Sequence, residues 1–216
     1  IFFAWPVFRS RPHAHTCAVD TSLSPRSPFS LALSVIVVAA DSGPSLRECV
    51  RRLLASSVAL ELILVDNDSS DGVVPAIERA HADDVRLKVI YNHRNVGFGP
   101  AVNQAARDAR GQALLVLNPD CMVEDNDLHR LLAILAERPK AGVIGAVVCD
   151  ADGQPDPASW RRDPTLRRAL NSLLGRAGER VNMDRDIPAE VIEAEAVSGA
   201  AMLLPRAMFQ RLAGFD

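Results

Sequence analysis

The chain has 216 residues, 48% of them hydrophobic and 24% charged, and a formal net charge of −3. That length suits one large domain with a sizeable core, and the slightly acidic balance gives no reason to expect nucleic acid as a partner. Cys17, Cys49, Cys121 and Cys149 are far apart with no C-x-x-C pair, so neither a zinc site nor a disulfide framework is signalled, and no apolar run approaches the roughly 20 residues that span a bilayer.

Residues 1–30 differ from the rest. Ile1–Phe8 is apolar but short, and Arg9–Ser30 is rich in Pro, Ser and Arg. The stretch lacks the apolar core and cleavage site of a signal peptide, so it reads as a leader, either disordered or foreign to the domain at 31–216. A start at Ile1 and a stop at Gly214-Phe215-Asp216 read as the ends of a fragment.

Leu31 to Ala40 is the first expected strand, centred on Val35-Ile36-Val37-Val38. Ser45 and Glu48 then fit a capping box for a helix whose apolar face is Leu46, Cys49, Val50, Leu53 and Leu54. A second strand, Leu60–Val65, ends in Asp66-Asn67-Asp68-Ser69-Ser70-Asp71-Gly72. A short helix near Pro75–Ala82 leads to a strand at Val85–Tyr91 and the loop Asn95-Val96-Gly97-Phe98-Gly99-Pro100. Pro100 suits the first turn of a helix with apolar face Val102, Ala105, Ala106 and Ala109. Ala113–Leu117 is an unbroken apolar run, as expected of a strand buried on both faces, and Asn118-Pro119-Asp120 stops it. Further on come a helix through Leu128, Leu131, Leu132 and Leu135, a strand at Val143–Cys149, a helix through Leu166–Leu174, extended runs around Ser198-Gly199, and a helix from Pro205. Alternating strands and helices at this spacing predict a mainly parallel sheet flanked by helices.

Three places could carry chemistry. The carboxylates of Asp66–Gly72 fit either a nucleotide pocket or a solvated turn that caps the next helix. The glycines of Asn95–Gly99 fit either close backbone approach to a phosphate or a tight loop needing positive φ. Arg94 beside them is a suitable anion partner. Asn118-Pro119-Asp120 fits a capped turn or a ligand edge. It ends the most buried-looking strand, at the sheet edge where open α/β folds bind ligands. With Glu124, Asp125 and Asp127 nearby, this corner is acidic and suits a hard divalent cation that also holds phosphates. An EF-hand is excluded by Asp71 where that loop needs Gly and Ile77 where it needs Glu. A Rossmann fingerprint is poor because Val102 replaces the third Gly.

Taken in order, these pieces resemble family 2 glycosyltransferases of the GT-A fold, in particular the rhamnosyltransferase-like branch. The resemblance rests on Leu33–Val38, Val65–Gly72, Asn95–Asn103, Leu117–Asp120, Val197–Leu204 and Gly214–Asp216. It implies that Asp66 and Asn67, with Asp68, hold the base and ribose of a nucleotide diphosphate sugar. Arg94, Asn95, Gly97, Gly99, Asn103 and Asn118 would lie beside the nucleotide and sugar. Asp120 would bind Mg²⁺ or Mn²⁺, and Ser198, Gly199 and Asp216 would line the acceptor side. The implied reaction is inverting transfer of a sugar, rhamnose being one candidate, from a dTDP- or UDP-sugar to a glycan or lipid-linked acceptor. The expected place is the cytoplasm, at the inner face of the plasma membrane. The family's general base is expected after Asp216. Ala39-Ala40-Asp41 stands where the family usually has Thr-Tyr-Asn, which puts its base contact in question. The rival readings are a catalytically inactive nucleotide-sugar-binding module and a phosphatase with Asp66 as nucleophile.

Overall fold

The computed structural model describes residues 2–6, 31–150, 154–156, 159–161 and 191–216. The elements in order are β1 (Phe2–Pro6), β2 (Leu33–Ala39), α1 (Ser45–Leu54), β3 (Leu60–Asn67), α2 (Val73–Ala80), β4 (Leu87–Asn92), α3 (Phe98–Asp108), β5 (Ala113–Leu117) and α4 (Asp125–Glu137). They continue with β6 (Val143–Val147), β7 (Trp160–Arg161), β8 (Ile192–Ala194), β9 (Ala196–Val197), β10 (Ala201–Pro205) and α5 (Arg206–Arg211). The helix expected at 166–174 lies outside the described residues.

One sheet runs in the order β4-β3-β2-β5-β10-β6-β1-β8. The first four strands are parallel, joined by right-sized βα units. β10 is antiparallel to both its neighbours, and β8 is antiparallel to β1. The expected mainly parallel sheet flanked by helices is the one found.

The unbroken apolar runs are explained by layers on both faces. Along β2, Val35, Val37 and Ala39 join the core under α1, α2 and α4, while Ile36 and Val38 join the core under α3. Side chains alternate between faces along a strand, so each face needs its own apolar set. Fully burying each such Val, Leu or Ile contributes about 1.5–3 kcal/mol. The face of α3 is built of small residues (Ala101, Ala105 and Ala106 beside Val102), which lets it pack close to β2 and β3.

Two expectations change. Phe2–Pro6 is a strand, parallel to β6 and antiparallel to β8. Those five residues are therefore ordered in the sheet, which differs from the disordered alternative for the leader; pairing on both edges supplies order that their short apolar pattern did not reveal. Residues 7–30 lie outside the described set. The Ser45–Glu48 capping box does not form either. Pro44 already has helical geometry and its carbonyl takes the Arg47 N–H, so Ser45 sits one position too far in. The Ser45 hydroxyl donates to the Ser42 carbonyl instead, and Glu48 accepts from Arg51 and Arg52.

At the opposite sheet edge from the loops after β2, β3 and β5 sits a buried polar knot. Ser34 donates to Glu61 at 2.6 Å, and Glu61 also accepts from the Arg110 backbone and guanidinium. The Gly111 N–H closes it by donating to the Ser34 hydroxyl. Ser34 and Glu61 are register partners in β2 and β3. A polar residue at the same level of two otherwise apolar strands is a signal that sequence reasoning passed over.

Candidate functional site

The C-terminal ends of β2–β5 gather most of the residues singled out above on one edge. Asp66 pairs in register with Ala39, and Leu117 pairs with Val37. The ends of β3 and β5 are therefore two strand spacings apart, about 10 Å, with the end of β2 between them.

Asp66 is buried, 5% exposed, and its Oδ1 accepts the Ser69 N–H at 2.9 Å. The loop after β2 reaches over it. Asp41, in left-handed backbone geometry at φ 51°, accepts the N–H groups of Ser70 and Asp71 through one oxygen. The Ser70 bonds, backbone first and then hydroxyl, hold the Asp41 carboxyl below its ordinary range. In return Asp41 N–H donates to Ser69 Oγ and Gly43 N–H to Asp71. Three successive amides of the β3–α2 loop thus point at the protein's own carboxylates. Such a nest would otherwise suit an anion; here it is filled from within, so this loop offers no room for a phosphate. Asp68 is exposed, with φ 71°.

Asn67 is 2% exposed and saturated. It donates to Asn95 Oδ1 at 2.9 Å and, more weakly, to the Gly97 carbonyl at 3.5 Å. It accepts from Asn92 and from the Val96 N–H, both at 3.1 Å. Two donors and two acceptor sites are all an amide has, so Asn67 shapes the loop after β4 rather than reaching a ligand. Asn95 also accepts the Gly97 N–H. Gly97 takes φ 90°, which only glycine adopts readily, and turns the chain into α3. The helix starts at Phe98, two residues before Pro100. Arg94 and Phe98 are exposed at this mouth.

Past β5, the Asn118 N–H donates to the Ala200 carbonyl at 2.8 Å, and Asn118 closes a turn by accepting from Cys121. Ser198 Oγ accepts the Ala200 N–H, so Ser198 braces the turn that meets Asn118. Asp120 is exposed. Cys121 is kept as a neutral thiol, pushed up to about 11 by burial and by the Asp120 charge. The acidic corner proves narrower than expected. Asp127 accepts the Glu124 N–H, Glu124 pairs with Arg52, and Asp125 accepts from Ser56 and from the Ser57 backbone and hydroxyl. Those three acids are engaged at the start of α4, which leaves Asp120 as the unengaged carboxylate of this corner. Among the described residues no group of three or more His, Cys, Asp or Glu could enclose a metal. One carboxylate completed by substrate phosphates and water is nevertheless how Mg²⁺ is commonly held, so the residues present fit that use.

The Gly214–Asp216 turn packs against α3. Asn103 exchanges two hydrogen bonds with the Phe215 backbone, and Asp216 lies beside Gly99. The structure thus brings together Asp66, Arg94–Gly99, Asn118–Asp120, Ser198–Gly199 and Asp216 along one edge. It commits Asn67 and Asn103 to protein partners. No described helix is long and apolar enough to cross a membrane.

Residues 34–156 match the family model described as glycosyl transferase family 2. Among curated proteins, the chain is 26% identical over 138 residues to N-acetylglucosaminyl-diphospho-decaprenol L-rhamnosyltransferase of Mycobacterium tuberculosis, a match covering 56% of this chain and 45% of that protein. The chain therefore spans less than half of that relative's length. Among solved structures, a mannosyltransferase from Pyrobaculum calidifontis in complex with GDP-Man and Mn²⁺ superposes with a TM-score of 0.61 at 20% identity, over 90% of this chain and 50% of that one. S. aureus TarS 1–349 in complex with UDP-GlcNAc superposes with a TM-score of 0.51 at 23% identity, over 59% and 38% of the two chains.

Proposed function

Because this chain belongs to glycosyl transferase family 2, we propose that its loop-bearing sheet edge binds a nucleotide diphosphate sugar and supports transfer of the sugar to an acceptor hydroxyl. The observation that carries the reading is the separation of roles along that edge. Asp66 keeps one carboxylate oxygen free at the end of β3, while the nest beside it is filled by Asp41. Asp120 stands free at the end of β5, with its acidic neighbours engaged elsewhere. On this reading the base and ribose lie over β3, where a carboxylate would accept from N–H or hydroxyl groups, and the diphosphate lies toward Asp120 and the first turn of α3. In that turn Phe98 and Gly99 carry N–H groups without an intrahelical partner, while Pro100 has none and the Ala101 N–H donates to the Gly97 carbonyl; Arg94 is exposed in the loop before them.

Asp120 would hold Mg²⁺ or Mn²⁺, which as a Lewis acid would stabilise the charge gathering on the diphosphate leaving group. The acceptor hydroxyl attacks the anomeric carbon from the face opposite the diphosphate. Its bond forms as the bond from carbon to diphosphate oxygen breaks, which inverts the centre. The hydroxyl proton passes to a carboxylate base. Ser198 and Gly199, held against Asn118, form the wall on the acceptor side. A rhamnosyl donor and a lipid-linked acceptor are the favoured substrates, since the M. tuberculosis relative carries both in its name. Work at the cytoplasmic face of a membrane follows from such an acceptor.

Calorimetric titration of UDP, dTDP and GDP, each with and without Mn²⁺, into the wild type and Asp120→Ala tests the reading. The expected result is metal-dependent binding of one nucleotide, lost in the variant. Metal-independent binding, or binding untouched by Asp120→Ala, would refute the assignment of Asp120.

A further inference from the structure

Helix α3 makes contacts in two directions. Its N-terminal end continues the Asn95–Gly97 loop that Asn67 holds. A turn further on, Asn103 reaches the other way. Its Oδ1 accepts the Phe215 N–H and its Nδ2 donates to the Phe215 carbonyl, both at 2.8 Å. A side-chain amide that answers both backbone groups of one residue fixes that residue's orientation as a neighbouring strand would. The turn is shaped to receive it. Gly214 has φ +92°, and a Cβ there would lie 2.3 Å from Asn103 Oδ1. A Cβ on Gly99 would lie 3.3 Å from Phe215 Cβ and 3.4 Å from the Asp216 carbonyl oxygen. The Phe215 ring stands edge-on to buried Phe209, with centroids 5.4 Å apart, and 6.5 Å from Phe98. Phe215 is therefore clamped by its backbone and its ring, and Asp216 follows it beside the first turn of α3.

We infer that Asn103 is a positioning residue: through Phe215 it fixes Asp216 beside the donor loop, and because clamp and loop share α3, nucleotide at the loop and order in the Gly214–Asp216 turn reinforce each other. The second half rests on the donor-site reading; the first does not. Coupling of this kind is reciprocal, so nucleotide must tighten the turn by the factor by which the turn favours nucleotide.

Amide hydrogen exchange on the full chain, free and with UDP, dTDP or GDP plus Mn²⁺, decides it. Asn103→Ala should speed exchange at Phe215 tenfold or more while Leu115 and Val116 in β5 stay unchanged. Asn103→Asp keeps the acceptor for the Phe215 N–H and should restore most of the protection. Gly214→Ala breaks the clamp from the turn side and should reproduce the Asn103→Ala pattern. In the wild type the bound nucleotide should slow exchange at Phe215, and both clamp-breaking variants should lose that response. Unchanged exchange at Phe215, or acceleration spread evenly through β5, overturns the inference. So does loss of nucleotide affinity in Asn103→Ala but not in Gly214→Ala, which would make Asn103 a direct donor contact. If no nucleotide binds the wild type, the donor-site reading fails, and the exchange of the unliganded variants still decides the clamp.

Discussion

Replacing Asn67 with Ala is the sharpest probe of how the donor loop is built. Asn67 makes three bonds of ordinary length, to Asn95, from Asn92 and from the Val96 N–H, and a fourth, long one that contributes little. At about 1 kcal/mol each, their loss removes about 3 kcal/mol. All three end on the segment 92–96, so the cost falls on local order. A loop that must be ordered before it binds then lowers ligand affinity by the fraction still ordered, here up to about 100-fold. Amide exchange at Val96 should rise by a comparable factor while Leu115, in the adjoining core, stays protected. Asn67→Asp keeps the acceptor for Val96 and Asn92 but cannot donate to Asn95, so it should show roughly a third of the free-energy loss. If Val96 exchange does not change in Asn67→Ala, the loop is held by something else. If Leu115 accelerates equally, Asn67 supports the whole domain and not the loop.

The polar knot at the other edge supplies a stability test. Burial would raise the Glu61 carboxyl, but bonds from Ser34 and Arg110 outweigh it and leave the pKa below the ordinary 4.5. Its contribution is therefore complete above pH 4.5 and fades as pH falls through the lower folded value. Glu61→Gln should cost about 2 kcal/mol at neutral pH, near 6 °C in melting temperature, and the gap to wild type should narrow as the pH falls below 4.5. A gap independent of pH would refute this. Gly111→Ala forces a methyl to within 2.4 Å of the Ser34 nitrogen and 2.5 Å of the Leu33 carbonyl carbon, both backbone atoms. It should cost about 1–3 kcal/mol in thermal unfolding, with nucleotide binding retained if the domain remains folded.

What could be read from the residues follows burial and locality. β2, β3 and β5 were legible because a strand covered on both faces needs apolar residues at every position, and each is followed within a few residues by its own helix. The loops at their ends were legible as loops, with Gly97 the turn into α3. The Ser45–Glu48 box misled because Pro44 begins the helix early, a matter of one backbone conformation. The acidic corner misled because Ser56, Ser57 and Arg52, which occupy Asp125 and Glu124, lie about seventy residues away in sequence. The Asn67 and Asn103 pairings and the β1–β6 register are non-local too: composition marks such residues as polar or apolar but does not name their partners.

The antiparallel return of β10 also dictates an order of events. β4, β3, β2 and β5 are completed by the residues up to Leu117, whereas β10, which covers the other side of β5, starts at Ala201. At roughly 5–20 residues per second, β10 emerges from the ribosome several seconds after β5. Throughout that interval the all-apolar stretch Ala113–Leu117 is an open border of the nascent sheet, a template for another chain's strand. Folding therefore depends on how fast residues 118–205 arrive, and a ribosome that stalls before Ala201 releases an aggregation-prone product.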